Sequence, residues 1–283
     1  AFLGYVNKPK KIIAYVLAAD ATDFSAALAY FATQKINYLA GPPDCTAEEA
    51  QTMVTWIKAQ RADKRTPKSV LPKIAADDEG IVNFTTEDIK AGSTEYETAG
   101  YCGRIAGLIA GTPIAISCTY APLPEVMDAA IDNGEFIIFH DGEKVKVGRG
   151  VNSLKTTTAD KGEAFKKIKI VDAVDMMRDD IRLLTQDNYI GKYPNSYDDK
   201  CLLITAIQEY FGELETEGVL QAGKSTIEID LEKTKEYLTE QGKDVSEMTD
   251  QEIKTANTGT KILLKGTVSI LDTIEDIDLD MSI

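Results

Sequence analysis

Two different periods of apolar positions divide this chain. Over residues 277–283 apolar and polar side chains alternate without a break, with Ile277, Leu279, Met281 and Ile283 on one side and Asp278, Asp280 and Ser282 on the other. A period of two places the whole apolar set on one face of a β-strand. Ile262, Leu264, Val268 and Ile270 keep the same period upstream, across Gly266. The link between them, Leu271, Asp272, Thr273, Ile274 and Glu275, is too short and too polar for a helix, so the chain is expected to end in two strands. A strand at a chain end either completes its own sheet or adds to the edge of a neighbour's. The residues by themselves favour the first.

The opening third has a different texture. The apolar runs 12–17 and 36–40 read as buried strands. Between them a helix over 22–33, capped by Thr22 or Asp23, carries Phe24, Ala27, Leu28 and Phe31. Thr46 and Glu49 have the spacing of a capping box, and the helix behind them carries Met53, Val54, Trp56 and Ile57 before basic Lys58 and Arg61. Strands follow over 69–74 and 81–84. The order βαβαβ predicts an α/β domain with a small, mostly parallel sheet over about residues 1–90.

Beyond it an α+β pattern is expected over 91–283. A helix over 95–110 contains Gly100, Gly103 and Gly107, each costing about 1 kcal/mol relative to Ala in a helix interior. Gly103 and Gly107 lie in a small-residue stripe with Ala99, Ala106 and Ala110, which predicts close packing against a neighbour; Gly111 and Pro113 end the helix, Gly111 being free to take a positive φ. Asn133-Gly134 is a turn, 135–139 a strand, Asp141-Gly142 a tight hairpin turn and 144–147 the return. Alternation over 167–170 predicts another strand. It leads into a helix with Val174, Met177, Ile181 and Leu184 buried and with Asp172, Asp175, Arg178, Asp179 and Arg182 on the wet side. Ser196 caps a long helix with Leu203, Ile207, Tyr210 and Leu214 as its core stripe, ended by Gly218. Ile227, Ile229 and Leu231 suggest a strand, and two charged helices, 231–241 and 249–256, form an acidic insertion over about 231–257.

Composition narrows the function classes. The net charge of −15 over 283 residues argues against nucleic acid, which needs basic stripes. No apolar run approaches the roughly 20 residues of a membrane span, so membrane insertion by this chain is not expected. Ala1 to Asn7 lacks the basic start of a signal peptide. Cys45, Cys102, Cys118 and Cys201 are scattered without metal spacing and read as reduced core thiols. His140 is the only histidine, and no ligand or catalytic partner surrounds it in sequence. The turn after the first expected strand holds Asp20 and Asp23 and no glycine, a poor cradle for phosphate. No catalytic residue, cofactor or metal is expected.

Five segments in order give the chain a family likeness: residues 104–113 (RIAGLIAGTP), 148–154 (GRGVNSL), 165–172 (FKKIKIVD), 189–192 (YIGK) with Asn195, and 268–278 (VSILDTIEDID). Together they resemble contractile tail sheath proteins of the compact kind found in Clostridium-type myophages, PBSX-like defective prophages and R-type bacteriocins (diffocins). The resemblance spans essentially the whole chain. It implies a structural protein, not an enzyme, that forms stacked hexameric rings around a tail tube. Baseplate and tail terminator proteins are further implied partners, in a virion tail or bacteriocin particle assembled in the bacterial cytoplasm. It also implies an outer α/β domain, a sheath core facing the tube, and terminal arms that add strands to neighbouring subunits. On that footing Ile277, Leu279, Met281 and Ile283 become a donated arm, and 271–275 its hinge. The family also implies an N-terminal arm ahead of Ala1, and these 283 residues alone are therefore expected to associate weakly or not at all. Two other readings remain. An α/β-class enzyme or small-ligand-binding protein would have a pocket at the carboxyl ends of 12–17 and 36–40, near Asp20, Asp23 and Asp44; an acidic adaptor would form no helical polymer.

Overall fold

Thr46 shows how locally the first elements are specified. Its hydroxyl accepts from the Glu49 amide while the Glu49 carboxylate accepts from the Thr46 amide, and α2 (Ala47–Ala62) starts from that box. A computed structural model describes residues 7–18, 20–91, 93–119, 133–140 and 145–281. The expected hairpin turn Asp141-Gly142, the terminal Ile283 and the side chain of His140 lie outside the described residues.

Ahead of α2 come α1 (Ser25–Ala32) and β1 (Tyr38–Ala40); behind it come β2 (Lys68–Pro72) and β3 (Ile81–Phe84). Further on lie β4 (Ile89–Ala91), β5 (Thr94–Tyr96), α3 (Thr98–Ala110), β6 (Glu135–Phe136), β7 (Ile138–His140) and β8 (Val145–Val147). The main sheet is parallel in the order β1-β2-β3-β6, with Leu39 opposite Ser69, Val70 opposite Val82 and Phe84 opposite Phe136. Pleating sends alternate residues to opposite faces. Leu39, Leu71 and Ile81 pack with Leu28 of α1 and Ala50, Met53, Val54 and Ile57 of α2. Val70, Val82, Phe84 and Phe136 pack with Cys102, Ile105, Ala106 and Ile109 of α3. The result is a sheet between two helical layers.

Three expectations are corrected here. Residues 12–17 form no strand: Ile12 and Val16 are exposed, and Tyr15 lies against the rings of Tyr30 and Phe31 at centroid distances of 5.3 and 6.4 Å. An apolar run specifies burial but names no partner, and the fourth parallel strand is instead β6, at the opposite edge. The helix expected from residue 95 begins at Thr98, because Thr94–Tyr96 pairs antiparallel with Ile89–Ala91. The alternation over 167–170 is helical, for α4 (Ile168–Asn188) begins there with Ile168, Ile170 and Val171 all buried.

By contacts the chain forms two compact units, residues 1–175 with 272–283 and residues 176–271, rather than dividing near residue 90. The boundary at Asp175 falls within α4. The second unit contains α5 (Tyr197–Thr216), β9 (Thr226–Ile229), α6 (Leu231–Glu240), α7 (Asp250–Thr255) and β10 (Leu264–Thr267). Ser196 caps α5 by accepting from the Asp199 amide, and Leu203, Ile207, Phe211 and Leu214 form its buried stripe; Tyr210 is only partly buried and donates to Asp180 at 2.8 Å. Gly218 then turns the chain at φ +73°. The helices of the expected acidic insertion are more than decoration, since Leu238 and Ile253 are fully buried.

The first unit is tied together by charge. Lys68 of β2 is only 3 % exposed and stands opposite Tyr38 of β1. Its Nζ lies 3.0 Å from Asp172 Oδ1 and 3.0 Å from Asp175 Oδ2, both on α4. The Tyr38 hydroxyl donates to Asp172 at 2.8 Å. Arg61 of α2 forks onto Asp175 at 2.7 and 3.3 Å and reaches Glu79 at 3.3 Å, and Lys161 meets Glu79 at 2.7 Å. Asp175 and Asp179, expected on the wet side of the helix, are both buried. Burial alone would lower the Lys68 pKa, but Asp172 and Asp175 outweigh it and hold the ammonium above its ordinary value.

Removing one partner of such a pair strands the other charge in a dry site, at about 3–5 kcal/mol. Asp175→Asn should cost an amount of this order in urea unfolding, whereas Arg178→Ala, on the exposed side of the same helix, should stay within about 0.5 kcal/mol. Gly134 offers a second check. It sits at φ +71°, and a Cβ there would lie 3.0 Å from the Asn152 carbonyl oxygen. Gly134→Ala should therefore destabilise by about 1–3 kcal/mol in the same measurement.

Candidate functional site

The chemistry that a catalytic reading would use does not converge. The pocket expected near Asp20, Asp23 and Asp44 needed a strand over 12–17, which does not form. Asp23 instead accepts from the amide and hydroxyl of Ser25 at the start of α1. Burial pushes the thiols of Cys102 and Cys118 up to about 12 and that of Cys45 up to about 11, so the reactive thiolate is suppressed. Among the described residues no three His, Cys, Asp or Glu side chains cluster as metal ligands.

The distinctive feature is the carboxyl-terminal segment. After β10, Ile270 bridges to Leu220 and the Leu271 amide donates to the Val219 carbonyl at 2.9 Å. The ordered pairing then stops. Asp272 pairs with Lys167, Glu275 with Arg149 Nη1 at 2.9 Å, and Asp276 with Arg149 Nη2. Burial works against the Arg149 charge, but Asp276 and Glu275 hold its pKa above the usual arginine value. From Ile277 the alternation read in the sequence is laid bare: Ile277, Leu279 and Met281 are 84 %, 71 % and 77 % exposed and belong to no strand of this chain.

Arg149 is held by the segment 148–154. The Gly148 amide donates to Ile137, Val151 bridges to Lys167, the Asn152 amide donates to Lys166 and the Ser153 amide to Ile81. The Asn152 side chain donates to the Phe165 carbonyl at 2.7 Å and accepts from the Leu154 amide at 3.0 Å. The Gly150 amide donates to the Thr119 hydroxyl at 2.8 Å, and a Cβ on Gly150 would come within 2.9 Å of the Cys118 sulfur. The amides of Gly148, Gly150, Asn152 and Ser153 are therefore each spent on a different neighbour, and the Arg149 side chain leaves from a fixed frame.

A second feature belongs to the other unit. β9 and β10 form a two-stranded antiparallel sheet, Leu264 opposite Ile229 and Thr267 opposite Thr226. β9 packs on α5. Among the described residues no strand pairs with the other edge of β10, where Lys265, Gly266 and Thr267 are exposed. A two-stranded sheet is marginal alone, and an open edge is a template for another strand.

The remaining expected residues are placed as follows. Gly107 is buried and Gly103 half-buried on α3, which packs on β1 and β2. Gly111 ends α3 at φ −92°, in the ordinary helical region rather than the left-handed one, with its amide on the Gly107 carbonyl; half-buried Pro113 follows. Sequence reasoning missed Arg149 and Lys167. The signal available was the acidic run Asp272, Glu275 and Asp276 itself, which needs cations wherever it rests on a surface.

Comparison with known proteins identifies the family. Residues 18–153 match the model of the phage tail sheath protein central domain, and residues 160–283 that of the phage tail sheath C-terminal domain. The chain is 40 % identical over 285 residues to the tail sheath protein of Clostridium phage phiCD119, covering 97 % of this chain and 79 % of that one. Its fold resembles the helical sheath of the anti-feeding prophage in its contracted state (TM-score 0.67, 15 % identity, 94 % of this chain and 76 % of that one). It also resembles the sheath tail protein of Desulfitobacterium hafniense (TM-score 0.64, 23 % identity, 72 % of this chain), of whose length the match spans about half, 52 %. The chain belongs to the phage tail sheath protein family.

Proposed function

We propose that this protein is a structural subunit of a contractile tail sheath, linked to its neighbours by donation of the terminal strand. The observation that carries the reading is the pairing of two unmet needs in one chain. Residues 277–281 present alternating apolar side chains to solvent with no sheet to join, and β10 presents an edge with no strand on it. The arm of one copy laid along β10 of another satisfies both. Each backbone hydrogen bond so formed contributes about 1 kcal/mol net, so one arm supplies several kcal/mol, repeated across the assembly.

In this reading subunits stack as hexameric rings around a tail tube protein, bounded by baseplate and tail terminator proteins, in a virion tail or bacteriocin particle assembled in the bacterial cytoplasm. Contraction drives the tube through a cell envelope. The energy comes from two packings of the same subunit, which needs no nucleotide and no catalytic residue. The arms keep subunits joined while their larger surfaces repack. The small face of α3 at Gly103 and Gly107, ended by Gly111 and Pro113, allows that helix to approach its sheet closely.

Two measurements test the reading in particles assembled from the complete gene product. Deleting residues 277–283 should leave the subunit folded with an unchanged melting temperature but abolish striated tubes in negative-stain electron microscopy. Normal tubes from the shortened protein would overturn the arm assignment. Mixing Leu279→Cys subunits with Thr267→Cys subunits should give disulfide-linked dimers only in assembled material; equal yields in dispersed protein would argue that the contact is not a lattice contact.

A further inference from the structure

The root of the tail is built as a seat rather than as a free linker. Between residues 272 and 276 every acidic side chain meets a cation of the same compact unit: Asp272 on Lys167, and Glu275 and Asp276 together on Arg149. Side chains alternate along this stretch. Glu275 is 11 % exposed and Thr273 half-buried, while Ile274 points outward at 87 % exposure. Thr273, Ile274, Glu275 and Asp276 line a groove with Arg149, Gly150, Val151 and Lys167. The far wall of that groove is the segment whose backbone is already committed to Thr119, Lys166 and Ile168. Past Asp276 the polar anchoring ends, and among the described residues 277–281 make no hydrogen bond or ion pair within the chain.

We propose that Arg149 and Lys167 clamp residues 272–276 to their own subunit, so that the movable arm starts at Ile277 and Arg149 is the residue that positions its exit. The pivot of the arm is then the Asp276–Ile277 junction rather than the whole link from Leu271 to Glu275. Arginine suits the task because its planar fork spans two neighbouring carboxylates, which a lysine ammonium does not do with the same geometry. The exit point fixes which β10 edge an arm of given length can reach. This inference rests on the donated-arm reading only for its consequence; the seat itself is a property of the single chain.

The test uses nitroxide labels on this chain with Cys201→Ser, the other three cysteines being buried. A label at Ile274→Cys should give a restricted spectrum and one at Leu279→Cys a mobile one. Arg149→Ala should shift the restricted-to-mobile ratio at 274 by about two- to fivefold towards mobile, the range expected for partly exposed ion pairs. It should leave 279 unchanged. Arg149→Lys should recover only part of the ratio, and 1 M salt should act in the same direction as Arg149→Ala. Glu275→Gln with Asp276→Asn should reproduce the loosening without touching the 148–154 segment, which covers the case of an Arg149 variant that misfolds. A label at 274 as mobile as one at 279, or one indifferent to both sets of substitutions, would overturn the seat. Tubes formed without residues 277–283 would overturn the arm and leave the spectral result standing, so the two failures are distinguishable.

Discussion

Lys68 imposes the constraint on which the first unit depends. An ammonium placed inside a parallel sheet costs several kcal/mol in lost hydration unless carboxylates meet it there. β2 cannot supply them, since it holds no carboxylate: Val70 and Leu71 pack the two apolar layers and Ser69 donates to the Leu39 carbonyl. Asp172 and Asp175 do, from two positions one helical turn apart on α4, and Arg61 and Glu79 extend the pairing to α2 and to the turn before β3. An apolar contact tolerates sliding. A buried lysine between two carboxylates at 3.0 Å does not, so the register of α4 against the sheet is fixed by electrostatics. That register in turn fixes residues 165–168, which hold the segment 148–154, which holds Arg149. The site at the tail root is thus the outer end of a chain of contacts that begins at one buried charge.

The same chain of contacts accounts for what could be read from sequence. Capping residues act on their immediate neighbours, so Thr46 and Ser196 announced their helices correctly. The parallel strands Ile81–Phe84 and Tyr38–Ala40 were legible within the runs 81–84 and 36–40 because those runs are short and largely apolar. Residues 12–17 have the same composition and form no strand, because membership of a sheet is decided by which edge is free. Over 167–170 four alternating residues fit the first turn of a buried helix as well as a strand, and packing decided it. Asp175 was misread for a reason of the same kind: a carboxylate beside arginines on an amphipathic helix is ordinarily wet, and its true partner, Lys68, lies 107 residues away. The terminal alternation reads as a strand in sequence, yet the described residues 277–281 form none within the chain. Its lack of an internal partner was not legible, since absence of pairing is a property of the whole fold.

An exposed tail of alternating apolar residues and an open sheet edge in one molecule form a standing hazard, because any two copies could pair anywhere. The sequence places the counterweight in the same few residues. Asp276, Asp278 and Asp280 alternate with the apolar positions, and the chain as a whole carries −15. Two such tails laid side by side would bring like charges together at every second position, which disfavours tail-to-tail pairing. β10 instead offers Lys265 and no acid across Leu264–Thr267. Backbone pairing is indifferent to sequence, so in the proposed donated-arm reading this charge pattern is what would favour addition of the tail to β10 over addition to a second tail. A sheath subunit needs that bias more than it needs affinity. In the proposed reading its links would have to form in one arrangement, survive the repacking of everything around them, and stay silent until copies are brought together in order.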